Sequence, residues 1–547
     1  MPNLFQQVQQ HAENTPQKVA LRHWLNKEET TAITFHELAV KAQQFAIAFH
    51  KYAPNTMIMP LYLSKSFDCV AAMLGAIGAG KAFTCLNKKL RVPQLNSILR
   101  DSSATIGLID GVGAMNLRNE LTADMPITQT SWWLLPERNF ITPYKKAVEK
   151  MQELGTEIKS WSTSSTERET VMPSLIDDPQ RVGCCLFTSG STGNPKGVLI
   201  AEQDLRKRAL AEIAWFELKA DDVLLNILPF SFDVGLNQLF STLMVGCSLV
   251  LLDSWLPADI LHVTAKFKVN GISSVPAIWL DMLNANMIFN TSGEHQSLRY
   301  ITVSGGDLNA QHLKQLPRLA GQAGIFKTYG QTEAFRATSL KPHEFNTKQQ
   351  SVGKPFSGVH IYIVREDGAL CQPNEIGEVV HTGLGVMLGY LDGHDAQHKL
   401  RSNPFQSEKD NSPQAIFTGD LGYFDTEGYL FLKGRRDAML KVAGNRVYPK
   451  EITNQLLLVD YIQEAEVVGL KSENNETELV AFVVLKQKVE MTTLQIRRHL
   501  ANYLPSYMVP REIIILTTMP RTASGKPDYP LLTEQAKSAL QPKENES

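Results

Sequence analysis

Hydrophobic positions in the first half of the chain alternate between a helical spacing and short strand-like runs. FHELAVKAQQFAIAFHKY at residues 35–52 places apolar side chains every three to four positions, and TMIMPLYL at 56–63 is a short apolar run. The alternation returns after Asp221, where VLLNILPF precedes a predicted helix over Val234–Val245. Strands that alternate with helices are typical of largely parallel sheets, so the pattern predicts two α/β layers.

The pattern changes twice in the second half. From Gly353 to Leu432, short strands such as GEVVHTG are separated by turns, which predicts a small β-rich subdomain. From about Asp437 two helical patterns and two apolar strands follow, enough for a separate small domain. The predicted fold class is therefore α/β: a large N-terminal core domain at residues 1–433, which contains a β-rich subdomain at about 353–433, and a small α+β C-terminal domain at 434–547.

The stretch Trp132–Asp178 departs from this periodicity. It is polar and contains the Ser/Thr-rich run SWSTSSTERET. Such a composition offers few apolar side chains for a packed layer, so we expect an irregular excursion on the surface.

Composition excludes one class of partner. The 547 residues are 43% hydrophobic and 20% charged, typical of a globular protein with a large core. Lys and Arg number 54 against 56 Asp and Glu, which gives a net charge of −2. Because no broad basic surface follows from this balance, nucleic acid is not an expected partner.

The cysteines and the N-terminus bear on the compartment. None of the six cysteines belongs to a C-x-x-C pair, and most lie inside apolar stretches, as reduced core thiols do. The N-terminal residues lack the charged-then-apolar pattern of a signal peptide, and the longest apolar stretches are too short to span a bilayer. We therefore expect a cytoplasmic protein with no membrane span.

The segment GCCLFTSGSTGNPKGVLI at residues 183–200 is the most informative for chemistry. Its glycines let backbone N–H groups approach an anion, its Ser and Thr add donors, and Lys196 adds a positive charge. Because Lys196 is followed by Gly197, the loop is not a Walker motif. A flexible linker is the commoner explanation of such a composition, but the apolar strands on both sides disfavour it. The pattern favours a loop that wraps phosphate.

Further motifs follow this loop in order: YGQTEAF at Tyr329–Phe335, FTGDLGYF at Phe417–Phe424, GRRDAMLKVAGNRVYPKEI at Gly434–Ile452 and RTASGKPDYPLL at Arg521–Leu532. With the loop, they make nearly the whole chain resemble the adenylate-forming superfamily of acyl-CoA synthetases, peptide-synthetase adenylation domains and luciferases. The resemblance implies activation of a carboxylic acid with ATP and Mg²⁺, release of pyrophosphate, and transfer to a phosphopantetheine thiol. Attack of a carboxylate on the α-phosphate brings two anions together, which requires cations and donors at the site.

The resemblance also implies positions for the nucleotide. The β- and γ-phosphates are expected in the loop, at Thr188, Ser189, Gly190, Ser191, Thr192, Gly193 and Lys196. The adenine side is expected at Gly305, Gly306, Asp307, Tyr329 and Gly330, with Asp307 in place of the more usual Glu. Thr332 would contact the α-phosphate, and Glu333 would hold Mg²⁺, which suits a carboxylate beside phosphate oxygens.

Four more positions are implied for the ribose, the catalytic lysine, the hinge and the thiol. Asp420 resembles the residue that accepts hydrogen bonds from the ribose hydroxyls, with Arg435 as its companion. Lys526 resembles the lysine that bridges the substrate carboxylate and the α-phosphate. Asp437 matches the hinge about which the small domain rotates once the adenylate has formed, and Gly444 would then line the thiol tunnel.

Three residues are candidates for contact with the acid. Asp233 matches the aspartate that grips the α-amino group in peptide-synthetase adenylation domains. An Asp before an apolar helical stretch is also a favoured N-cap, and both interpretations stay open. Asn237 stands where those domains usually carry an aromatic residue, and both Asn237 and Arg336 are either substrate-facing or structural.

Three functions remain open. The first is a stand-alone ligase that adenylates a carboxylic or amino acid and loads it onto a carrier protein in trans, since no carrier motif follows Lys526. The second is an acyl-CoA synthetase that uses free CoA. The third, a non-catalytic nucleotide-binding protein, is disfavoured because the charged motif residues are all present. The sequence favours an amino acid or another polar acid loaded onto a carrier protein.

Overall fold

The computed structural model describes the chain except for residues 1, 89, 91, 118–120, 136–141, 162–177, 190–194, 290–295, 307, 309, 392, 394–395, 437–439, 443–444, 472–476, 487–490, 523–524 and 541–547. At residues 142, 189, 396–397, 441 and 445–446 it describes the backbone only.

The described helices are, in chain order, α1 (Leu4–Asn14), α2 (Phe35–Tyr52), α3 (Phe67–Gly78), α4 (Val92–Ser102), α5 (Gly111–Leu117), α6 (Pro126–Gln129), α7 (Thr142–Glu153), α8 (Glu202–Phe216), α9 (Asp233–Val245), α10 (Pro257–Lys266), α11 (Pro276–Asn284), α12 (Ala310–Ala320), α13 (Pro342–Lys348), α14 (Ala396–Lys399), α15 (Pro449–Leu456), α16 (Thr493–Tyr503) and α17 (Tyr529–Leu540).

The described strands are β1 (Val19–Trp24), β2 (Thr30–Thr34), β3 (Ile58–Tyr62), β4 (Ala82–Cys85), β5 (Ile106–Ile109), β6 (Ser131–Leu134), β7 (Ile158–Ser160), β8 (Val182–Ser189), β9 (Pro195–Ala201), β10 (Val223–Asn226), β11 (Ser248–Leu252), β12 (Gly271–Ser274), β13 (Tyr300–Val303), β14 (Gly324–Gln331), β15 (Phe335–Leu340), β16 (Lys354–Pro355), β17 (Val359–Val364), β18 (Gly377–Gly383), β19 (Gly389–Tyr390), β20 (Leu400–Ser402), β21 (Gln414–Phe424), β22 (Leu430–Arg435), β23 (Leu440–Val442), β24 (Asn445–Val447), β25 (Ile462–Lys471), β26 (Thr477–Leu485) and β27 (Glu512–Leu516).

Local sequence signals fix several helix ends. Thr34 is the N-cap of α2 and forms a reciprocal capping box with Glu37. The helix α9 ends at Val245, and its C-cap Gly246 adopts the left-handed conformation, with a φ of +77°. The helix predicted over Val234–Val245 is therefore confirmed to within one residue.

The first α/β layer is an eight-stranded sheet with the order β19-β9-β8-β4-β3-β5-β6-β7. Its neighbours from β8 to β7 are parallel, whereas β8 and β9 form an antiparallel hairpin. Parallel neighbours need a crossover, which α3 supplies between β3 and β4 with nearly its whole length buried. The candidate phosphate loop lies where β8 turns into β9.

The second α/β layer is a nine-stranded sheet with the order β16-β15-β14-β13-β12-β10-β11-β1-β2. The strands from β14 to β1 are parallel, and both edges end in antiparallel strands. The two predicted α/β layers are confirmed. The N-terminal strands β1 and β2 belong to this second sheet, beside β11, although they lie among first-layer elements in the sequence.

The expectation of an irregular excursion over Trp132–Asp178 is wrong for the part that the structure describes. There β6, α7 and β7 extend the edge of the first sheet. From α7, Ala147, Val148 and Met151 are buried in one cluster with Trp132. Only this narrow apolar face of α7 is packed, so the average composition of the stretch concealed it.

The other described strands form a five-stranded sheet, a three-stranded sheet and the two-stranded hairpin β23–β24. Strands β17, β18, β20, β21 and β22 make the predicted β-rich part. The C-terminal strands β25, β26 and β27 carry α15 and α16 on one face and α17 on the other. The predicted fold class, a large α/β N-terminal domain followed by a small α+β domain, is confirmed.

The cysteines agree with a reduced interior. All six are unpaired, and five of them are buried. Within the described ranges, no helix is both long enough and apolar enough to cross a bilayer.

Candidate functional site

Asp420 is the centre of a hydrogen-bond network that joins three strands. It lies in β21 opposite Arg435 of β22, whose Nη1 is 3.5 Å from its Oδ1. The Tyr329 hydroxyl and the Gln331 side-chain amide, at the end of β14, each donate to Asp420 Oδ2 at 2.6 Å. The structure therefore brings the predicted ribose residues Asp420 and Arg435 together with the predicted adenine residue Tyr329.

Burial and close packing fix the shape of this network. Burial and the neighbouring Asp420 carboxylate raise the pKa of Tyr329 well above its usual value, so the phenol stays a donor. A Cβ at Gly330 would lie 2.2 Å from the Phe335 carbonyl oxygen, so only glycine allows β14 and β15 this approach. Gly330 thus permits the tight hairpin that presents its neighbours Tyr329 and Gln331.

Glu333 lies in a one-turn 3₁₀ helix, Thr332–Ala334, between β14 and β15. Its Oε1 accepts hydrogen bonds from the Tyr390 hydroxyl at 2.7 Å and from Lys399 Nζ at 2.8 Å. Burial opposes its ionisation, but the Lys399 charge and these two hydrogen bonds outweigh burial and hold the pKa of Glu333 below its usual value. At neutral pH the side chain is a carboxylate that already holds one cation.

A strained residue follows this turn. Phe335 has a φ of +44°, in the left-handed region that a bulky side chain rarely adopts. Such a conformation costs on the order of 1–3 kcal/mol and persists only where the surroundings hold it. The Phe335 ring is fully buried, and the Arg208 guanidinium lies 5.1 Å from its centroid. The sharp reversal holds Thr332 and Glu333 at the end of β14.

The β8–β9 hairpin places Lys196, from the candidate phosphate motif, beside a neighbour of Glu333. Thr188 pairs with Lys196 near the end of the hairpin. Lys196 Nζ lies 6.0 Å from the centroid of the Tyr390 ring, and the Tyr390 hydroxyl donates to Glu333. The loop lysine and the candidate metal ligand therefore share a neighbour. The predicted residues Gly190, Ser191, Thr192 and Gly193, and the side chain of Ser189, lie outside the described residues.

Two glycines form a tight wall after β13. Gly305 has a φ of +75°, and a Cβ there would lie 2.9 Å from Phe232 Cζ. A Cβ at Gly306 would lie 3.2 Å from Pro276 Cγ. The wall is built of backbone because side chains do not fit, as expected where a flat ligand lies against it. The predicted Asp307 lies outside the described residues.

Lys526 approaches this wall from the C-terminal domain. Its Nζ lies 5.8 Å from the centroid of the Phe232 ring, which also borders Gly305. Gly525 has a φ of +82°, and a Cβ there would lie 3.0 Å from Val275 Cγ2. The loop that carries Lys526 is therefore docked on the core domain.

Arg521 shapes the same loop. Its Nη1 donates to the Gly525 carbonyl at 3.0 Å, and its Nη2 forms an ion pair with Glu464 of β25. Burial raises the pKa of Glu464, and the Arg521 charge opposes that effect. The loop closes where the Thr522 N–H donates to the Lys526 carbonyl at 2.7 Å. The predicted hinge and tunnel residues, Asp437 and Gly444, lie outside the described residues.

Asp233 opens the helix α9 beside this site. Phe232 is the N-cap and makes no side-chain cap, so the N-cap interpretation of Asp233 is wrong in position. Asp233 is the first helical residue, and its Oδ1 accepts the Val234 N–H at 2.9 Å. The Asp233 carboxylate therefore stabilises the first turn of α9, next to Phe232. Its contact with the substrate's α-amino group stays a prediction.

Asn237 and Arg336 belong to one buried network. Asn237 lies one turn after Asp233 on the same helix, and its carbonyl accepts the Ser241 hydroxyl at 2.8 Å. Ser241 Oγ is also 2.9 Å from one oxygen of Glu212, whose other oxygen lies 2.9 Å from Arg336 Nε. The contact of Asn237 is made by its backbone carbonyl, so the structure connects Arg336 to α9 through Glu212 and Ser241.

Arg336 carries donors that the chain leaves open. It is 4% exposed, and its guanidinium lies 5.3 Å from the centroid of the Phe216 ring. In the described part of the chain, its Nη1 and Nη2 have no hydrogen-bond partner. Burial raises the pKa of Glu212, while the Arg336 charge opposes the shift. Buried donors without partners cost free energy, so an acceptor that the described residues do not supply is expected at these nitrogens.

Sequence reasoning missed four residues of the site: Phe232, Gln331, Tyr390 and Lys399. Gln331 lies inside the motif YGQTEAF and Phe232 directly precedes Asp233, so proximity to a motif was the available signal. Tyr390 and Lys399 follow Glu333 by 57 and 66 residues, and no local pattern connects them.

Residues 8–391 match the family model described as AMP-binding enzyme, and residues 451–526 match the AMP-binding enzyme C-terminal domain. Gramicidin S synthase 2 of Brevibacillus brevis is 26% identical over 543 residues, or 98% of this chain, but the chain spans only 11% of that protein. Zwittermicin A synthase ZmaJ of Bacillus cereus is 25% identical over 533 residues, which cover 95% of this chain and 92% of that protein.

A solved structure shares the fold over its full length. The o-succinylbenzoate coenzyme A synthetase of Bacillus subtilis, in complex with ATP and magnesium ion, matches with a TM-score of 0.74 at 24% sequence identity. The match covers 96% of this chain and 98% of that chain.

Proposed function

The chain belongs to the family of AMP-binding enzymes, and from this premise we propose that it activates a carboxylic acid with ATP and Mg²⁺ and loads it onto a carrier protein. In the first step the carboxylate attacks the α-phosphate, an acyl-adenylate forms and pyrophosphate leaves. In the second step a phosphopantetheine thiolate attacks the acyl carbon, a thioester forms and AMP leaves. The proposed acid is an amino acid or another polar acid.

The position of Lys526 is the observation that carries this proposal. Carboxylate and α-phosphate are both anions, so a cation between them lowers the barrier to attack. The C-terminal loop places Lys526 Nζ 5.8 Å from the Phe232 ring, beside the Gly305 wall and the first turn of α9. An ammonium on a flexible stem at this point suits a bridge between two anions.

The nucleotide is proposed to lie between Asp420 and Glu333. The Asp420 carboxylate is held by Tyr329 and Gln331 and has acceptor capacity left for ribose hydroxyls. Glu333 is anionic and shares its neighbour Tyr390 with Lys196 of the phosphate loop, so Glu333 would hold a Mg²⁺ ion beside the phosphates. Mg²⁺ would neutralise charge on the departing pyrophosphate.

The face of α9 supports a polar acid as substrate. Asp233 at its first turn would pair with an α-ammonium group, and Asn237 lies one turn further along. Beyond it, the open nitrogens of Arg336 would donate hydrogen bonds to an oxygen of the substrate. An apolar pocket for a plain hydrocarbon chain would not need three such groups.

The second step is proposed to use a different position of the C-terminal domain. The motif GRRDAMLKVAGNRV supports a domain boundary near residue 434, rotation about Asp437, and a thiol tunnel lined by Gly444. Such a rotation would withdraw Lys526 and free space for the thiol. One pocket would then perform both reactions in turn.

Free CoA is the second candidate acceptor. Among the proteins that share this fold is a coenzyme A synthetase, which supports an acceptor without a protein partner. Both acceptors present the same phosphopantetheine thiol, so the chemistry of the second step is unchanged. They differ in whether a protein surface contributes to recognition.

The proposal is tested by ATP–pyrophosphate exchange over a panel of amino, aryl and fatty acids, followed by transfer to CoA and to phosphopantetheinylated carrier proteins, detected by mass spectrometry. We expect exchange that needs both Mg²⁺ and a polar acid, and faster transfer to a carrier protein than to CoA. No exchange with any acid would favour a non-catalytic nucleotide-binding protein. A preference for a fatty acid and free CoA would contradict the proposed substrate and acceptor.

A further inference from the structure

Lys399 holds the carboxylate that is proposed to bind Mg²⁺. Its Nζ lies 2.8 Å from Glu333 Oε1, and the Tyr390 hydroxyl donates to the same oxygen at 2.7 Å. The Glu333 side chain is 10% exposed and the Lys399 side chain 28% exposed, so the lysine reaches inward from the rim of the site. Among the described residues, Lys399 is the one side chain that forms an ion pair with Glu333.

The contact has a consequence for metal binding. An ammonium and a divalent cation on one carboxylate repel each other, and the repulsion is stronger where water is largely excluded. Binding of Mg²⁺ to Glu333 would therefore weaken the contact of Lys399 with Oε1. A lysine that moves needs another anion, since a partly buried ammonium without a partner is costly.

The phosphate groups of ATP are the nearest anions that the site would receive. The Tyr390 ring lies between the two lysines: its hydroxyl is bound to Glu333 beside Lys399, and Lys196 Nζ is 6.0 Å from its centroid. Lys196 belongs to the hairpin of the phosphate loop. The four-carbon side chain of Lys399 lets its ammonium shift by several ångströms without any backbone movement. This shift is about the distance between neighbouring oxygens of a carboxylate and a phosphate group that lie side by side.

We propose that Lys399 is the counter-ion that Glu333 exchanges for Mg²⁺, and that its ammonium then binds the β- and γ-phosphates together with Lys196. The inference rests on the proposed function, because it requires ATP as ligand. It adds a second phosphate-binding lysine, which lies at the end of α14 and is far from the phosphate loop in sequence. A competing role for Lys399 is purely positional: it would orient Glu333 and never touch the nucleotide.

Calorimetric titration of Lys399→Met with three ligands separates the two roles. The ligands are ATP with Mg²⁺, ATP with EDTA, and AMP. We expect the affinity for ATP with Mg²⁺ to fall about tenfold or more, because a charge-assisted contact to phosphate is lost. With EDTA the fall should be smaller, because Lys399 then stays on Glu333 in the wild type. The affinity for AMP should stay within about twofold, because AMP has no β- or γ-phosphate.

Glu333→Gln gives the reciprocal result. Without the carboxylate, Lys399 is free to meet phosphate, so metal-free ATP should bind at least as tightly as to the wild type. The affinity for ATP with Mg²⁺ should fall, because a metal ligand is lost. In the double variant Glu333→Gln, Lys399→Met, the affinity for metal-free ATP should fall about tenfold from that of Glu333→Gln alone, because the freed ammonium is lost. A positional role of Lys399 predicts no such fall.

Lys41→Met is the matched control, because Lys41 also forms a single ion pair, 2.7 Å from Asp68, away from the site. Its affinities should equal those of the wild type, and thermal unfolding without nucleotide checks that all variants are folded. An affinity for metal-free ATP that is the same in Glu333→Gln with and without the Lys399→Met change overturns the inference alone. ATP binding without exchange on any acid would refute the proposed function and leave the inference standing, whereas a wild type that binds no ATP overturns both.

Discussion

Gly525 packs directly against Val275, and this contact seats the loop of the candidate catalytic lysine on the core domain. A Cβ at Gly525 would lie 3.0 Å from Val275 Cγ2, and the residue has a φ of +82°. Both the close approach and the left-handed backbone demand glycine. The position of Lys526 above Phe232 therefore depends on a neighbour that has no side chain.

Gly525→Ala should weaken adenylation by lifting this loop. A left-handed alanine costs about 1–2 kcal/mol, and the Cβ contact adds to it, so exchange should fall about tenfold or more. Gly428→Ala is the control, because Gly428 has a φ of +79° with nothing within 4 Å of an added Cβ. The measurement is the ATP–pyrophosphate exchange rate. Equal losses in the two variants would mean that backbone strain, and not the contact with Val275, is responsible.

Lys526→Ala should slow the adenylation half-reaction much more than the thiol-transfer half-reaction. Adenylation is expected to fall by several orders of magnitude, because the cation between carboxylate and α-phosphate is removed. Transfer of the acyl group from supplied acyl-adenylate to a thiol should stay largely intact, since the lysine is proposed to be withdrawn in that state. Lys537→Ala on the exposed side of α17 serves as the control. If both half-reactions lose equally, the proposed division is wrong.

The layers of the fold were predictable from the sequence because each element repeats its own period. Helices such as α2 and α9 show apolar positions at helical spacing, and the strands between them are short apolar runs. The pairing of strands was not predictable in the same way. Placement of β1 beside β11 in the second sheet depends on contacts far apart in the chain, which no periodicity records.

The residues of the site show the same contrast between local sequence patterns and long-range contacts. Asp420, Arg435 and Tyr329 lie in recognisable motifs, and the structure brings them together. Tyr390 lies in the apolar run GVMLGYL and Lys399 in the polar segment DAQHKL, and neither belongs to a motif assigned to the nucleotide. Tyr390 is held near Glu333 by the pairing of β19 with β9, and Lys399 reaches the same carboxylate from α14. A side chain chosen by tertiary contact leaves no signal in the local pattern.

Asp233→Ala should abolish activity with the preferred amino acid. An ammonium left without its carboxylate in a partly buried site costs about 3–5 kcal/mol, or more than a hundredfold in rate or affinity. The corresponding acid without the amino group should lose far less. If Asp233 serves only the first turn of α9, the change should cost about 0.5–2 kcal/mol of stability and leave the ranking of acids unchanged. Exchange with matched pairs of acids decides between these outcomes.

Arg336→Met should affect stability and specificity separately. The single change leaves Glu212 buried without its cation, which should cost about 3–5 kcal/mol of stability. The double variant Arg336→Met, Glu212→Met removes both charges and should recover most of that loss. If the open nitrogens of Arg336 bind the acid, the double variant should still discriminate poorly between a polar acid and its hydrocarbon analogue. Full recovery of discrimination would make the pair structural only.

Glu466 predicts a pH dependence of stability in the C-terminal domain. Burial raises its pKa to about 7, although the hydrogen bond from the Tyr529 hydroxyl, at 2.8 Å, opposes the shift. Because the folded pKa exceeds the unfolded value of about 4.3, the native state binds the proton more tightly. The stability that protonated Glu466 contributes is thus fully present below about pH 4 and is lost as the pH rises through about 7.

Glu466→Gln imitates the protonated side chain and should remove this loss. In urea unfolding, the variant should exceed the wild type by about 1–3 kcal/mol at pH 8, and the two should converge near pH 4.5. Glu512→Gln, at an exposed position of β27, should change stability by a similar small amount at both pH values. A Glu466→Gln variant that is less stable than the wild type at pH 8 would show that the ionised carboxylate is favourable in the fold, because its bond to Tyr529 would then outweigh its burial.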